Sequence, residues 1–343
     1  MTEPAARDQM AKTSFPLYLR TIFPGLSVAV MVSLAASFLS EHYGAPAMLL
    51  AILIGLALHF LSEDERSAAG LDFASRTLLR AGIALLGLRV SIAMFSDLGL
   101  SVLLVLAAAV VATIGFGLLA ARLTGKDARF GTLTGGAVAI CGASAAMAIA
   151  AVIARPKSNE AEREMVFVVI GVTLLSTLAM IFYPVLAASL GLSDVLTGLF
   201  LGATIHDVAQ VAGAGFSVSV PAGETAVFVK LIRVTMLAPV VLTAALVFRS
   251  RMPENAARAP LIPGFVLVFL VLAGINSWLN IPGPVTELAG NLSRWALLIA
   301  IAAVGIKTSL PRILGVGGKA FAVLIAETVF LAAFILAALW LGV

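Results

Sequence analysis

Charge is what this sequence has least of. Of its 343 residues only 12% are Asp, Glu, Lys or Arg, while 61% are hydrophobic. A soluble globular chain carries about 25% charged residues, so the composition excludes a soluble protein and belongs in lipid. Apolar runs recur along nearly the whole length and leave no room for a sizeable soluble domain. Cysteine is nearly missing too: Cys141 stands alone, which excludes an internal disulfide and a multi-cysteine metal site. There are three histidines, and His42 and His59 fall at expected helix ends, which argues against a metal centre or nucleophilic site. A P-loop is lacking as well. The Gly-rich run Gly315-Val-Gly-Gly-Lys319 is too short and has no Ser or Thr after its lysine. Neither an enzyme nor a cofactor is expected. The net charge of +4 comes from loop arginines and lysines, which set topology rather than attract nucleic acid.

What is present is a series of apolar stretches of spanning length, about 20 residues each. They lie at 22–40, 46–61, 74–95, 98–121, 161–188, 222–248, 262–280, 290–309 and 319–342. Turn signals such as Tyr43-Gly44-Ala45-Pro46 and Ile281-Pro-Gly-Pro284 separate them. The first follows Arg7, Lys12 and Arg20 but has no clear small-residue cleavage site, so it reads as a transmembrane helix rather than a signal peptide. Two further segments, 130–154 and 195–213, bring the expectation to about eleven membrane-embedded elements. The fold class is an all-α polytopic membrane protein. A cytoplasmic tail is expected over 1–20 and a single transmembrane unit over 21–343, in a bacterial inner (plasma) membrane.

Those two further segments differ from the rest. The first reads Gly131-Thr-Leu-Thr-Gly-Gly-Ala-Val-Ala-Ile-Cys-Gly-Ala-Ser-Ala-Ala146, the second Gly198-Leu-Phe-Leu-Gly-Ala-Thr-Ile-His-Asp-Val-Ala-Gln-Val-Ala-Gly213. Each sets glycines around hydroxyl or ionisable groups in an apolar run. In hydrocarbon an unwound backbone is tolerated only where protein or a water-filled cavity satisfies it. Two such breaks point to a midplane site made of half-helix ends, as in secondary transporters. The lysine and arginine clusters orient the chain. If all of them are cytoplasmic, 130–154 enters and leaves on the inside and 195–213 on the outside. The competing topology lets both segments cross.

The chemistry-bearing residues follow from this. Cys141, Gly142, Ala143 and Ser144 read as a break before a new helix start, whose free N–H groups and positive dipole suit an anion. The plainer alternative is close helix packing through small residues. Thr204, His206, Asp207 and Gln210 form the second cluster. Ionisable groups in a spanning segment usually face a cavity or one another, so His206 and Asp207 are candidates for a coupled proton or ion. The plainer alternative has Asp207 capping a half-helix and His206 holding a backbone carbonyl. Among the cations, Arg76 and Arg80 share a helical face, and Lys230 and Arg233 sit three apart. Arg80 and Lys230 have the longer apolar flanks and are expected to face a polar interior. Arg89 and Lys307 match in an internal echo, Leu85-Leu-Gly-Leu-Arg-Val-Ser91 against Ala303-Val-Gly-Ile-Lys-Thr-Ser309, as an inverted repeat requires. Ser91, Thr308 and Ser309 add hydroxyls. Glu327, midway along the last helix, is expected to pair with a cation or carry a proton.

Four stretches carry a resemblance: Leu78-Leu-Arg-Ala-Gly-Ile-Ala-Leu-Leu-Gly-Leu-Arg89, Ala139-Ile-Cys-Gly-Ala-Ser-Ala145, Gly202-Ala-Thr-Ile-His-Asp-Val-Ala-Gln-Val211 and Val229-Lys-Leu-Ile-Arg-Val234. In these, and over nearly its whole length, the chain resembles the YeiH family, named for sulfate export. That family is similar in turn to the cation–proton antiporter and anion transporter superfamily. The resemblance implies inverted repeats, a core domain moving against a scaffold domain, and a homodimer. Together these observations lead to an expected secondary transporter of a small anion (sulfate, a sulfonate or a similar oxyanion) coupled to a proton or sodium. A cation–proton antiporter using Asp207 and Glu327 is the first alternative. A membrane receptor, or an intramembrane enzyme, is the second.

Overall fold

The protein's structure, a computed structural model, describes residues 15–89, 92–153, 159–248, 263–279, 281–308 and 318–342. Among these residues every regular element is a helix. Six of the helical stretches are long and apolar enough to cross a bilayer, and five shorter apolar helices accompany them. The order begins with α1 (Phe15–Tyr43) and α2 (Ala47–Ala57), then α3 (Glu65–Asp72), a π-helical turn (Phe73–Leu78) and α4 (Leu79–Leu86). Next come α5 (Ile92–Leu123), α6 (Ala128–Ala139), α7 (Ala143–Ile153), α8 (Asn159–Ser189), α9 (Asp194–Thr204) and α10 (Val208–Val218). The chain closes with α11 (Val220–Thr235), α12 (Leu237–Val247), α13 (Gly264–Trp278), α14 (Gly283–Lys307) and α15 (Lys319–Trp340). The span expected over 74–95 is not one helix. It begins inside the π-helical turn and leaves helical structure at Gly87. A side chain at Gly87 would lie 2.4 Å from the Phe269 carbonyl oxygen, so the backbone approach there requires glycine.

The chain forms two compact units. The first comprises Met1–Gly82 and Arg294–Ser309. In it α1 and α3 touch backbone to backbone where Gly25 faces Gly70, and α2 meets the end of α14 where Gly55 faces Gly305. Helices in lipid associate through such small residues because there is no hydrophobic drive between them. At one end Lys307 bonds the Asp72 carboxylate and reaches Ser75 Oγ at 3.3 Å, with Arg76 flanking the same carboxylate.

The second unit comprises Ile83–Ser293 and Leu310–Val343. It contains both interrupted segments, and each of them doubles back. Gly136 on α6 faces the end of the Ile149 side chain on α7, and Arg129 at the start of α6 donates to the Ile153 carbonyl at the end of α7. Legs that pair at both levels around a turn at 140–142 form a hairpin. In the other segment Gly198 and Gly202 of α9 lie against Ala222 and Ala226 of α11, so these two run parallel. Gly215 of α10 lies against Gly223 of α11, which makes that pair antiparallel and α9–α10 a second hairpin.

The first leg of each hairpin is seated by glycines four residues apart. Gly131 and Gly135 rest on the α5 backbone around Gly117 and Ile114, as Gly198 and Gly202 rest on α11. The small-residue packing that the sequence offered as an alternative to a break therefore coexists with the break. α11 and α12 together span 28 residues, Val220–Val247. Ala222 lies at the open end of the α9–α10 hairpin, and the Phe248 ring stacks on the Arg129 guanidinium at the open end of the α6–α7 hairpin. The two hairpins thus enter from opposite ends of this span. An 11-residue leg rises about 16 Å, about half of a ~30 Å hydrocarbon core.

Candidate functional site

The tips touch. A Cβ added to Gly142 would stand 3.4 Å from the Cβ of His206. Gly142 has φ +61°, the left-handed region that glycine enters without cost, and this lets the chain reverse between α6 and α7. At each tip one helix ends and another begins, so exposed carbonyls and exposed amides lie side by side. The carbonyl ends of α6 and α9 are joined by two fully buried cations from α11. Arg233 Nε donates to Ala139 O at 3.0 Å and Nη2 to Val138 O at 3.1 Å, while Nη1 donates to Gly202 O at 3.0 Å and Ile205 O at 3.2 Å. Lys230 Nζ donates to Ile140 O at 2.5 Å and Ile205 O at 2.8 Å. These are the orphan carbonyls and the negative dipole ends of two helices, the places where cations are most stabilising. Lys230 is fully buried, and two of its three ammonium donors go to backbone carbonyls.

The amide ends differ. In α10, Asp207 is the N-cap and its Oδ1 accepts from Ala209 N at 2.8 Å. Its own amide donates to Ser176 Oγ of α8 at 3.0 Å. A glutamine three residues after the cap could fold back onto that amide, but Ser176 holds it. Gln210 is left 3% exposed, with no partner for Oε1 among the described residues. His206 is fully buried; its Nε2 bonds Thr328 Oγ1 of α15 at 3.0 Å, and its ring also lies against the Val138 backbone carbonyl. Thr204 turns its hydroxyl back onto Phe200 O at 2.6 Å. In α7 the helix opens at Ala143, so Ser144 stands in the first turn rather than capping it. Cys141 lies against the amide of Ala145, and Ser144 is exposed. The tip region thus combines two fixed cations, one carboxylate, an open helix start and an unpaired amide oxygen.

Arg80 is exposed, and both it and Thr308 belong to the first unit; the Thr308 hydroxyl bonds Val304 O. Arg89 is in the second unit, where its Nε pairs with Glu224 at 2.6 Å. It lines a cavity of about 310 Å³ with Asn276, Thr286 and Glu287. Each cation of the internal echo, Arg89 and Lys307, therefore ends in an ion pair with a carboxylate of its own unit. Glu327 is fully buried and accepts from Thr134 Oγ1 of α6 at 2.7 Å. Ser91 and Ser309 lie outside the described residues. Sequence reasoning passed over Ser176, Thr134 and Thr328. Each is a hydroxyl inside an apolar run, a signal too common to single them out.

This architecture defines a polytopic, all-helical membrane protein. The chain belongs to the family described as "Conserved hypothetical protein 698", whose model matches residues 24–324, and the YeiH-type resemblance holds. A UPF0324 membrane protein of Rhizobium meliloti is 57% identical over 98% of this chain and 97% of its own length. The UPF0324 membrane protein TauZ of Paracoccus denitrificans is 58% identical over 92% of this chain and 94% of its own. A UPF0324 membrane protein of Chlorobaculum tepidum is 50% identical over 96% and 91%. No solved structure matches the chain.

Proposed function

We propose that the protein is a secondary active transporter of a small oxyanion, sulfate or a sulfonate in the first instance, coupled to a proton or sodium and working by alternating access. The observation that carries this reading is the first turn of α7. It opens at the meeting of the two tips, with Ser144 exposed beside it and two buried cations close by. The anion sits there, held by the amides of Ala143 and Ser144 and by the Ser144 hydroxyl, with the Gln210 side-chain NH2 group as a further donor. Lys230 and Arg233 contribute their field rather than their donors. Arg233 keeps its charge there as a guanidinium. Arg89, in its cavity at the other end of α11, meets the anion on its way. The hairpins, joined through Arg233 and Lys230, travel as one core, and inverted repeats of the kind the family resemblance implies give the two access states.

The test is a thermal-shift screen of detergent-purified protein against sulfate, sulfonates and other small oxyanions, followed by flux into liposomes. A ligand that binds only the folded state stabilises it by RT ln(1 + [L]/Kd), about 2.7 kcal/mol at a hundredfold excess over Kd. Stabilisation by an oxyanion that weakens in Ser144→Ala, together with flux of that anion, is the expected result. Cation exchange lost in Asp207→Asn, with no anion flux in either protein, replaces this reading by the cation–proton antiporter. Binding or turnover without flux replaces it by the receptor or enzyme.

A further inference from the structure

The transport reading leaves open which group carries the coupled ion, and the buried interface between α15 and the first hairpin bears on it. Glu327 is fully buried, and among the described residues its carboxyl has one hydrogen-bond partner, the Thr134 hydroxyl. One carboxyl oxygen, Oε1, lies 2.7 Å from Thr134 Oγ1; the other, Oε2, has no partner among the described residues. The carboxyl is admitted by glycine. A Cβ on Gly117 would fall 2.6 Å from Oε1 and 2.8 Å from Gly131 O. One turn before Gly117 on α5, Thr113 is fully buried, and its hydroxyl has no partner among the described residues.

The elements packed against α15 are α5, α6, α8 and α9. The described charged side chains of these elements are exposed or bonded to other partners. Arg122 is exposed, Arg129 bonds Ile153 O, Glu164 pairs with Lys126 at 2.9 Å, and Asp194 opens α9. Arg163 is exposed near the start of α8, Tyr183 of the same helix packs its ring on Phe200 of α9, and His206 bonds Thr328.

Proton counting then decides the chemistry. Thr134 has one hydroxyl proton and three oxygens within reach: Glu327 Oε1 at 2.7 Å, Phe130 O at 3.1 Å and Gly131 O at 3.4 Å. Its usual acceptor is the carbonyl four residues back. A second proton, on the carboxyl, lets Glu327 donate to Thr134 while Thr134 donates to Phe130 O. Without it an ionised carboxylate would stand in an apolar interface with no counter-charge, a state that buried carboxyls escape by taking up a proton.

We propose that Glu327 is the proton-carrying group of the transport cycle, holding one proton against Thr134 at the α15–α6 interface, apart from the anion site at the tips. Loss of that proton turns the Thr134 hydroxyl onto a bare carboxylate, which requires water and loosens α15 from the first hairpin. The next residue, Thr328, bonds His206 at the second tip, so one helix registers the proton and holds both hairpins. This rests on the transporter reading above.

Two measurements test it. Infrared spectra of the detergent-purified protein should show a protonated-carboxyl C=O band that disappears in Glu327→Gln and shifts in Thr134→Val. In liposomes, Glu327→Gln should still exchange the oxyanion but lose the accompanying proton movement read by an internal pH dye, while Glu327→Asp keeps it. A band unchanged in Glu327→Gln, or proton movement unchanged in that variant, overturns the proposal. Should Glu327→Gln fail to fold, Thr134→Val decides: an unshifted band and unaltered proton movement overturn it. If the native protein moves no oxyanion at all, the transporter reading fails while the band still reports whether Glu327 holds a proton.

Discussion

Arg233 donates to four backbone carbonyls of two different helices, and nothing else in the tip region can replace that fork. Its truncation leaves buried acceptors unpaired, at about 1–3 kcal/mol each. Arg233→Ala is therefore expected to aggregate or to unfold at a markedly lower temperature, read by size-exclusion profile and thermal unfolding in detergent. Arg233→Lys should recover only part, because an ammonium cannot span both helix ends as the planar guanidinium does. A second residue-scale expectation concerns Asp72, where the Lys307 hydrogen bond first, then the Lys307 and Arg76 charges, hold the carboxyl below its usual value. A depressed carboxylate stabilises the fold above its unfolded pKa of about 3.9, and that contribution disappears as pH falls through the lower folded value. The native protein should thus lose thermal stability in this acid range more steeply than Asp72→Asn. The effect is small, since the pair is half exposed and screened by solvent. Equal slopes for the two proteins would refute it.

Each hairpin works as an element because its first leg is pressed onto a neighbour and its turn is short. A Cβ at Gly202 would stand 2.4 Å from the Ala226 carbonyl oxygen, a rigid backbone atom. Gly202→Ala should push α9 off α11, at about 1–3 kcal/mol for overpacking, and carry the Gly202 and Ile205 carbonyls away from Arg233. The expected readout is a lower unfolding temperature together with a diminished stabilisation by oxyanion. At the other tip, Gly142→Ala forces an L side chain to φ +61°, at about 1–2 kcal/mol, and places its Cβ against His206. It too should unfold earlier than the native protein; an unchanged melting curve would show that this turn can rearrange.

At the scale of the molecule, the opposed hairpins make a prediction about sidedness. The open end of the α6–α7 hairpin carries Arg122, Lys126 and Arg129, while the connection 189–194 before α9 has no lysine or arginine. The positive-inside bias assigns the former to the cytoplasm. In a Cys141→Ala background, Ala128→Cys and Ser189→Cys are expected to react with a membrane-impermeant thiol reagent from opposite faces of the membrane. Labelling of both from one face would mean that the chain crosses at the 130–154 segment.

Much of this was legible in the residues. Low charge and repeated apolar runs compelled a helical membrane protein, since a backbone in hydrocarbon has few other ways to satisfy its amides. The Cys-Gly-Ala-Ser and His-Asp stretches marked where two helices stop, because glycine and short polar side chains are what a buried break needs. What only the tertiary structure decided was partnership. Whether Lys230 would meet a solute or a helix end, whether Asp207 would cap α10, and that Glu327 would find Thr134, 193 residues away, depend on contacts between distant segments. Spacing along a helix specifies a face, but the neighbour brought to that face is set by how the whole core packs.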